Sequence, residues 1–383
     1  MSVYVKSLGK FLPGAPIPND EIDEYLGELG NGSTKLRDRV IEKSGIATRH
    51  YALDKEQQSR YSAAGMAAAA IRDALERTEI DVEALDLISA ASSCPDLLAP
   101  GLASMVHGEL GSGPCEIVSS QGVCCSGAMA LKNAYLQILH DEKRNAVACA
   151  VEFTSRFLKS SWLNHSGDER GKRLSLDGAF LRYILSDGAG AALLGDEPGP
   201  GPGFKIEWIT QRSFAGTGPP VMYCGVENPA AEMSWADYPS AHEAALSGAF
   251  MFRQDLRRLP DVVRVCADEF VRLVEAGTLE PEEIRFVAAH YSSAALKEAA
   301  LREMQTRDCP QVPEERWRSN LSRVGNVGSA AIYLILGELV NSGELRDGDR
   351  VLCFVPESGR YSISYMLLSA VIPGSPDGRV ASP

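Results

Sequence analysis

The chain has 383 residues, 45% hydrophobic and 23% charged, the make-up of a folded protein with a substantial core in one large domain or two. A net charge of −13 argues against nucleic-acid binding, and no run approaches the roughly 20 apolar residues of a membrane span. Nine cysteines with no CxxC pair, and no HExxH, fit neither a disulfide framework nor a zinc site, so a reduced cytoplasmic protein without a metal is expected.

The N-terminal MSVYVKSLGKFLPG lacks the continuous apolar core of a signal peptide. EQQSRYSAAGMAAAAIRDALERT (56–78) reads as one long Ala-rich helix whose small side chains allow close packing. ALDLISAASS (84–93) reads as a buried strand, GLASMVHGEL as a helix, CEIVSS (115–120) as a strand and SGAMALKNAYLQILHDE (126–142) as a helix. NAVACAVEF (145–153) and GAGAALLG (188–195) are further strands. GDEPGPGPGF (195–204) can continue neither a strand nor a helix and marks a join between halves. Beyond it come a strand at FKIEWIT, an irregular region to about 245, and a helix at PDVVRVCADEFVRLVEAG. IRFVAAH (284–290) is a strand, SSAALKEAALREMQ and SAAIYLILGELVNSG (329–343) are helices, and DRVLCFVPESG and YSISYMLLSAV are closing strands. Alternating strands and helices indicate an α/β fold.

In SSQGVCCSGAMAL (119–131) two cysteines stand between a strand and a helix. Cys125 falls at the helix N-terminus, where oriented amides stabilise a thiolate and lower its pKa. Most free cysteines are structural, so local context leaves both readings open. Neighbouring side chains at a strand end point to opposite faces, so one of Cys124 and Cys125 belongs to the core. His290 ends the apolar strand IRFVAA, the place where α/β proteins put functional groups, although a lone histidine is more often structural. Asn326, between glycines in RVGNVGSAA, is by default a turn residue.

In order and spacing, GVCCSGAMAL, AAH and SRVGNVGSAA resemble the Cys–His–Asn pattern of the ketoacyl synthase III family. SGIATRHYA (44–52), SDGAGAALL (186–194) and NSGELRDGDRVL (341–352) are similar to further family segments, so the resemblance covers most of the chain. It implies a thiolase fold: two similar βαβαβ-type halves, 1–198 carrying the nucleophile and 199–383 carrying His and Asn, stacked as a five-layer αβαβα sandwich.

The resemblance implies a decarboxylative Claisen condensing enzyme. Cys125 would carry the acyl group, and His290 and Asn326 would donate to the thioester oxygen of a malonyl- or β-ketoacyl-type extender. Amides of Cys125 and Gly359 would form an oxyanion hole. Substrates would be acyl thioesters of acyl carrier protein or coenzyme A with no permanent cofactor, and the protein would be a homodimer. Departures from the family point to specialised substrates. Ala128 replaces a common phenylalanine, and the final glycine-rich loop reads ESGRYSIS. Lys43 stands for an arginine facing cofactor phosphates, and Arg39 for a tryptophan that stacks on adenine. With Arg37, these are candidates for the carrier entrance.

FLPGAPIPNDEIDEYLG is similar to a branch that makes dialkylresorcinols and cyclohexanediones, for which Glu357 and Arg360 would orient a keto group before ring closure. The alternative for that pair is a surface salt bridge. Glu152 is a second acidic candidate beside the pocket, read otherwise as a satisfied structural carboxylate. The competing functions are acyl transfer to an alcohol or amine, and a non-catalytic partner subunit of a ketosynthase heterodimer.

Overall fold

The computed structural model describes residues 1–29, 33–164, 176–228 and 233–374. Its central feature is a sheet of ten strands: β1 (Tyr4–Phe11), β2 (Leu87–Ser92), β3 (Glu116–Gln121), β4 (Ala146–Glu152), β5 (Gly188–Gly195), β6 (Gly203–Ser213), β7 (Ile284–Ala289), β8 (Trp317–Arg318), β9 (Arg350–Glu357) and β10 (Ser362–Val371). The helices used below are α1 (Ser33–Ser44), α2 (Ala63–Glu76), α3 (Leu102–Leu110), α4 (Cys125–Leu139), α5 (Leu176–Ile184), α6 (Leu259–Glu275), α7 (Ala294–Gln305) and α8 (Ala331–Asn341).

The strand order, β8-β7-β9-β10-β6-β1-β5-β4-β2-β3, repeats about its middle. Outward from the join, β1-β5-β4-β2-β3 and β6-β10-β9-β7-β8 each run through two antiparallel and then two parallel pairings. The halves meet through the short antiparallel pairing of Tyr4 with Lys205 and Val5 with Phe204. The Gly/Pro stretch 196–202 is the turn between β5 and β6. β1 places Lys6, Ser7 and Lys10 without regular alternation and is not legible as a strand without its two partners.

Strands β2, β4 and β5 are buried at every position because helices cover both faces. Helices α2 and α3 lie outside the first half, α6 and α7 outside the second, and α4 and α8 between them. The result is the expected five-layer αβαβα sandwich. Apolar clusters follow the layers: Ala67, Ile71 and Ile88 outside the first half, Leu131 and Ile335 centrally, Phe270 and Leu352 outside the second. Gly127 lets the central layer close up, since a Cβ there would stand 2.1 Å from the Ser329 carbonyl oxygen.

The Ala-rich helix is shorter than expected. It begins at Ala63, because the Ser62 hydroxyl accepts from Gly65 N–H and the Asp96 carboxylate accepts from the amides of Ala63 and Ala64. Residues 56–62 are irregular instead, with Ser59 bridged to Leu53. No helix among the described residues is long and apolar enough to cross a membrane.

Candidate active site

The central helix α4 points its N-terminus at the end of the second half's sheet, where β7 and β9 finish side by side. A cavity of about 60 Å³ opens there. Cys124, Glu152, His290, Asn326, Gln254 and Ser358 supply its polar wall, and Leu181, Leu185, Leu259, Val262, Leu296 and Phe354 much of the apolar remainder.

The two cysteines of the pair are placed differently. Cys124 is on the cavity wall with His290 and Asn326, and Cys125 is not among its lining residues. The Cys125 thiol turns into the central core and donates to the Val355 carbonyl oxygen at 3.1 Å, while its N–H donates to Glu357 Oε2 at 2.9 Å. The physical reason is helical. Cys124 already has α-helical backbone angles, so the two side chains leave the helix in directions set by its turn, not by strand alternation.

Helix position does not depress the Cys125 pKa as expected: burial first, then the charge of Glu357, push it well above its ordinary value. Burial first, then the nearby charges of Glu357 and Glu152, push the Cys124 thiol well above its ordinary value. The resting thiol is protonated at neutral pH.

His290 continues the β7 ladder by donating its N–H to the Phe354 carbonyl oxygen at 2.9 Å. Burial lowers the pKa of its imidazole to about 4, so the ring is neutral at pH 7. Asn326 is fixed by its backbone, which donates to the Ile184 carbonyl at 3.0 Å and accepts from Ser186 N–H at 2.9 Å. Its Oδ1 accepts from Gly328 N–H at 3.0 Å, which leaves the Nδ2 donor for the cavity. Gly325 and Gly328 make this loop possible, with φ of 72° and 49°.

Glu152 accepts from Ser329 N–H at 3.2 Å, Ser329 Oγ at 2.5 Å, Ser93 N–H at 3.4 Å and the Ser93 hydroxyl. Burial outweighs these donors and raises its pKa to about 7. Glu357 also has a raised pKa from burial, opposed by the amides of Cys125 and Val123. The oxyanion hole expected from Cys125 and Gly359 is therefore absent in that form: the Cys125 amide is taken by Glu357, and Gly359 is off the cavity wall while Ser358 is on it.

The remaining candidates are placed around the cavity and its outer face. Arg360 makes no pocket pair with Glu357; its Nε donates to the carbonyls of Ala215 and Gly218 at 3.1 Å each, on the outside of the molecule. Arg37 is held by Asp23 at 2.7 Å. Arg39 and Lys43 of α1 do line an outer groove of about 730 Å³, joined by Arg302, and the groove shares Leu259, Val263 and Leu296 with the inner cavity.

Sequence reading missed Gln254 and Ser358. Ser358 stood in view within ESG, but Gln254 lies in a region without periodicity and offered no signal.

Residues 274–362 match the family model for the C-terminal part of 3-oxoacyl-[acyl-carrier-protein] synthase III. The chain is 25% identical over 348 residues to a β-ketoacyl-[acyl-carrier-protein] synthase III of Dinoroseobacter shibae, covering 91% of this chain and 93% of the relative. It is 26% identical to the synthase III of Methylococcus capsulatus, covering 92% and 95%. Among solved structures, the synthase III from Pseudomonas aeruginosa superposes with a TM-score of 0.70 at 20% identity, covering 96% of this chain and 98% of that one. The tetronic acid condensing enzyme AbyA1 gives 0.71 at 20%, covering 96% and 99%.

Fold and relatives together make this a thiolase-fold condensing enzyme, one of the acyltransferases that form carbon–carbon bonds. Over nine-tenths of its length the chain is similar to β-ketoacyl-[acyl-carrier-protein] synthase III enzymes, at 25% and 26% identity to the two relatives above.

Proposed function

We propose that the halves 1–198 and 199–383 join their catalytic groups across the central layer, and that Cys124, not Cys125, carries the acyl group. The single observation behind this reading is the shared cavity wall of Cys124, His290 and Asn326.

The Cys124 sulfur attacks an acyl thioester, and the carrier thiol leaves with the thiol's proton. Because the resting thiol is protonated, the transfer needs a base, and the His290 imidazole shares the cavity wall with Cys124, placed to receive and return that proton. A malonyl-type extender thioester, whose carboxylate can leave, then loses CO₂ to give an enolate. The enolate oxygen is stabilised by Asn326 Nδ2 and the His290 N–H, both neutral donors that need not lose a proton. The enolate carbon attacks the Cys124 thioester, a carbon–carbon bond forms, and the thiolate leaves to be reprotonated.

Acyl carrier protein and coenzyme A present the same phosphorylated pantetheine arm. Arg39, Lys43 and Arg302 on the outer groove suit its phosphate on an otherwise acidic protein, and the shared wall suits passage of the arm inward. A homodimer is supported by the edge strand β3, which among the described residues pairs only with β2 and leaves Ile117 exposed, on the strand beside which α4 exposes Met129 and Leu136. Ring closure rests on the resemblance alone, because Arg360 faces away from the cavity.

Intact-protein mass after incubation with acyl- and 3-oxoacyl-loaded carrier proteins and coenzyme A esters tests the reading. An adduct present in the wild type and Cys125→Ala but lost in Cys124→Ala is expected. An adduct lost only in Cys125→Ala would overturn the assignment. No adduct from any donor would favour a non-catalytic subunit. Adding the extender and weighing the product reads ring closure as loss of water.

A further inference from the structure

The cavity wall holds a polar side chain that acylation and enolate stabilisation do not use. Gln254 lies in the short strand Arg253–Gln254, paired with Met222 on the facing strand, and is 2% exposed. Its Oε1 accepts from the Ser358 hydroxyl at 3.3 Å, while its Nε2 has no hydrogen-bond partner among the described residues. Much of the surrounding wall is apolar, with Met222, Leu181, Leu259 and Phe354. A buried N–H without an acceptor costs free energy, so its retention marks a place where a ligand supplies one.

We propose that Gln254, oriented by Ser358, donates to a carbonyl oxygen on the acyl group itself, selecting 3-oxoacyl donors over saturated ones. The assignment rests on the condensing reading above. Placement favours the acyl group over the carrier arm. Gln254 and Ser358 line the inner cavity with Cys124, and neither is among the residues of the outer groove through which an arm would come. Ser358 also follows directly on Glu357, whose carboxylate sits on the amides beside Cys124. A 3-oxo group would satisfy Nε2; a saturated chain would press methylene against it and leave it unpaired. A site built to pair a polar group rejects the analogue that lacks it.

The test compares kcat/KM for acylation by 3-oxoacyl and saturated acyl thioesters of equal length on one carrier. Wild type should favour the 3-oxo donor by roughly tenfold or more. Gln254→Met, close in shape, should bring the ratio near one, losing rate with the 3-oxo donor and gaining with the saturated one; Ser358→Ala should lower it part of the way. The same ratio should appear as relative binding to the Cys124→Ala protein, which reads recognition without turnover. An unchanged ratio in Gln254→Met would make the residue structural and overturn the proposal. Equal losses for both donors would place the contact on the shared arm and overturn it as well. Failure of wild type to acylate with either donor is a separate outcome: it removes the condensing reading and this assignment with it.

Discussion

The Glu357 carboxylate accepts from the Cys125 N–H at 2.9 Å, joining residues 232 positions apart and placing a carboxylate on the first turn of the central helix. A helix N-terminus favours such an anion, and Glu357 thereby ties the end of β9 to the helix that presents Cys124. It also sets a charge beside the Cys124 thiol.

Removing that charge separates its two effects. Glu357 is the second cause, after burial, of the high pKa of the Cys124 thiol. Glu357→Gln should therefore be alkylated faster at Cys124 at a given pH, with the rate profile displaced to lower pH. Glu357→Ala should in addition lose about 1–2 kcal/mol of stability from unpaired amides, read by denaturant unfolding.

The two cysteines should respond differently to deletion. Cys124→Ala should abolish the acyl adduct with little effect on folding. Cys125→Ala should keep the adduct and cost about 1 kcal/mol or more, because it removes a buried sulfur and its hydrogen bond to the Val355 carbonyl. Adduct mass and urea midpoints check both.

Asn326→Asp tests the enolate donor. The variant can still accept from Gly328 N–H, but it turns an oxygen, not an N–H, towards the cavity. Acylation should survive while condensation falls by about 10²–10³-fold, measured as product formed per acyl-enzyme.

Glu152 should write itself into stability against pH. Its folded pKa of about 7 lies above the ordinary 4.5, so its contribution is fully present below about 4.5 and is lost as pH rises through about 7. The loss amounts to roughly 3 kcal/mol, and Glu152→Gln should show a flatter profile across that window in urea unfolding at several pH values.

His290 has the opposite sign. Its folded pKa of about 4 lies below the ordinary 6.5, so stability is lost as pH falls from 6.5 towards 4. Over the same window the ring stays neutral in the folded protein. The condensation rate should therefore hold through pH 6.5 and fall only towards pH 4, where an ordinary histidine would already have titrated.

Local pattern determined much of this protein. The buried strands Leu87–Ser92 and Ala146–Glu152, the helices at 259–275 and 294–305, and the Gly/Pro join at 196–202 were legible because burial on both faces and backbone restriction leave marks on neighbouring residues. So were His290 at a strand mouth and Asn326 between glycines. Strand Tyr4–Phe11 was not, since its place comes from partners nearly 200 positions away.

Only the tertiary structure decided which of two adjacent cysteines faces the cavity, because one residue's step on a helix turns a side chain by about 100° and spacing alone does not fix the phase. It also decided that Glu357 caps a helix while Arg360 grips an outer loop, and that Gln254 reaches the cavity. These are relations between residues remote in the chain, set by how the layers stack; no local pattern of the sequence encodes them.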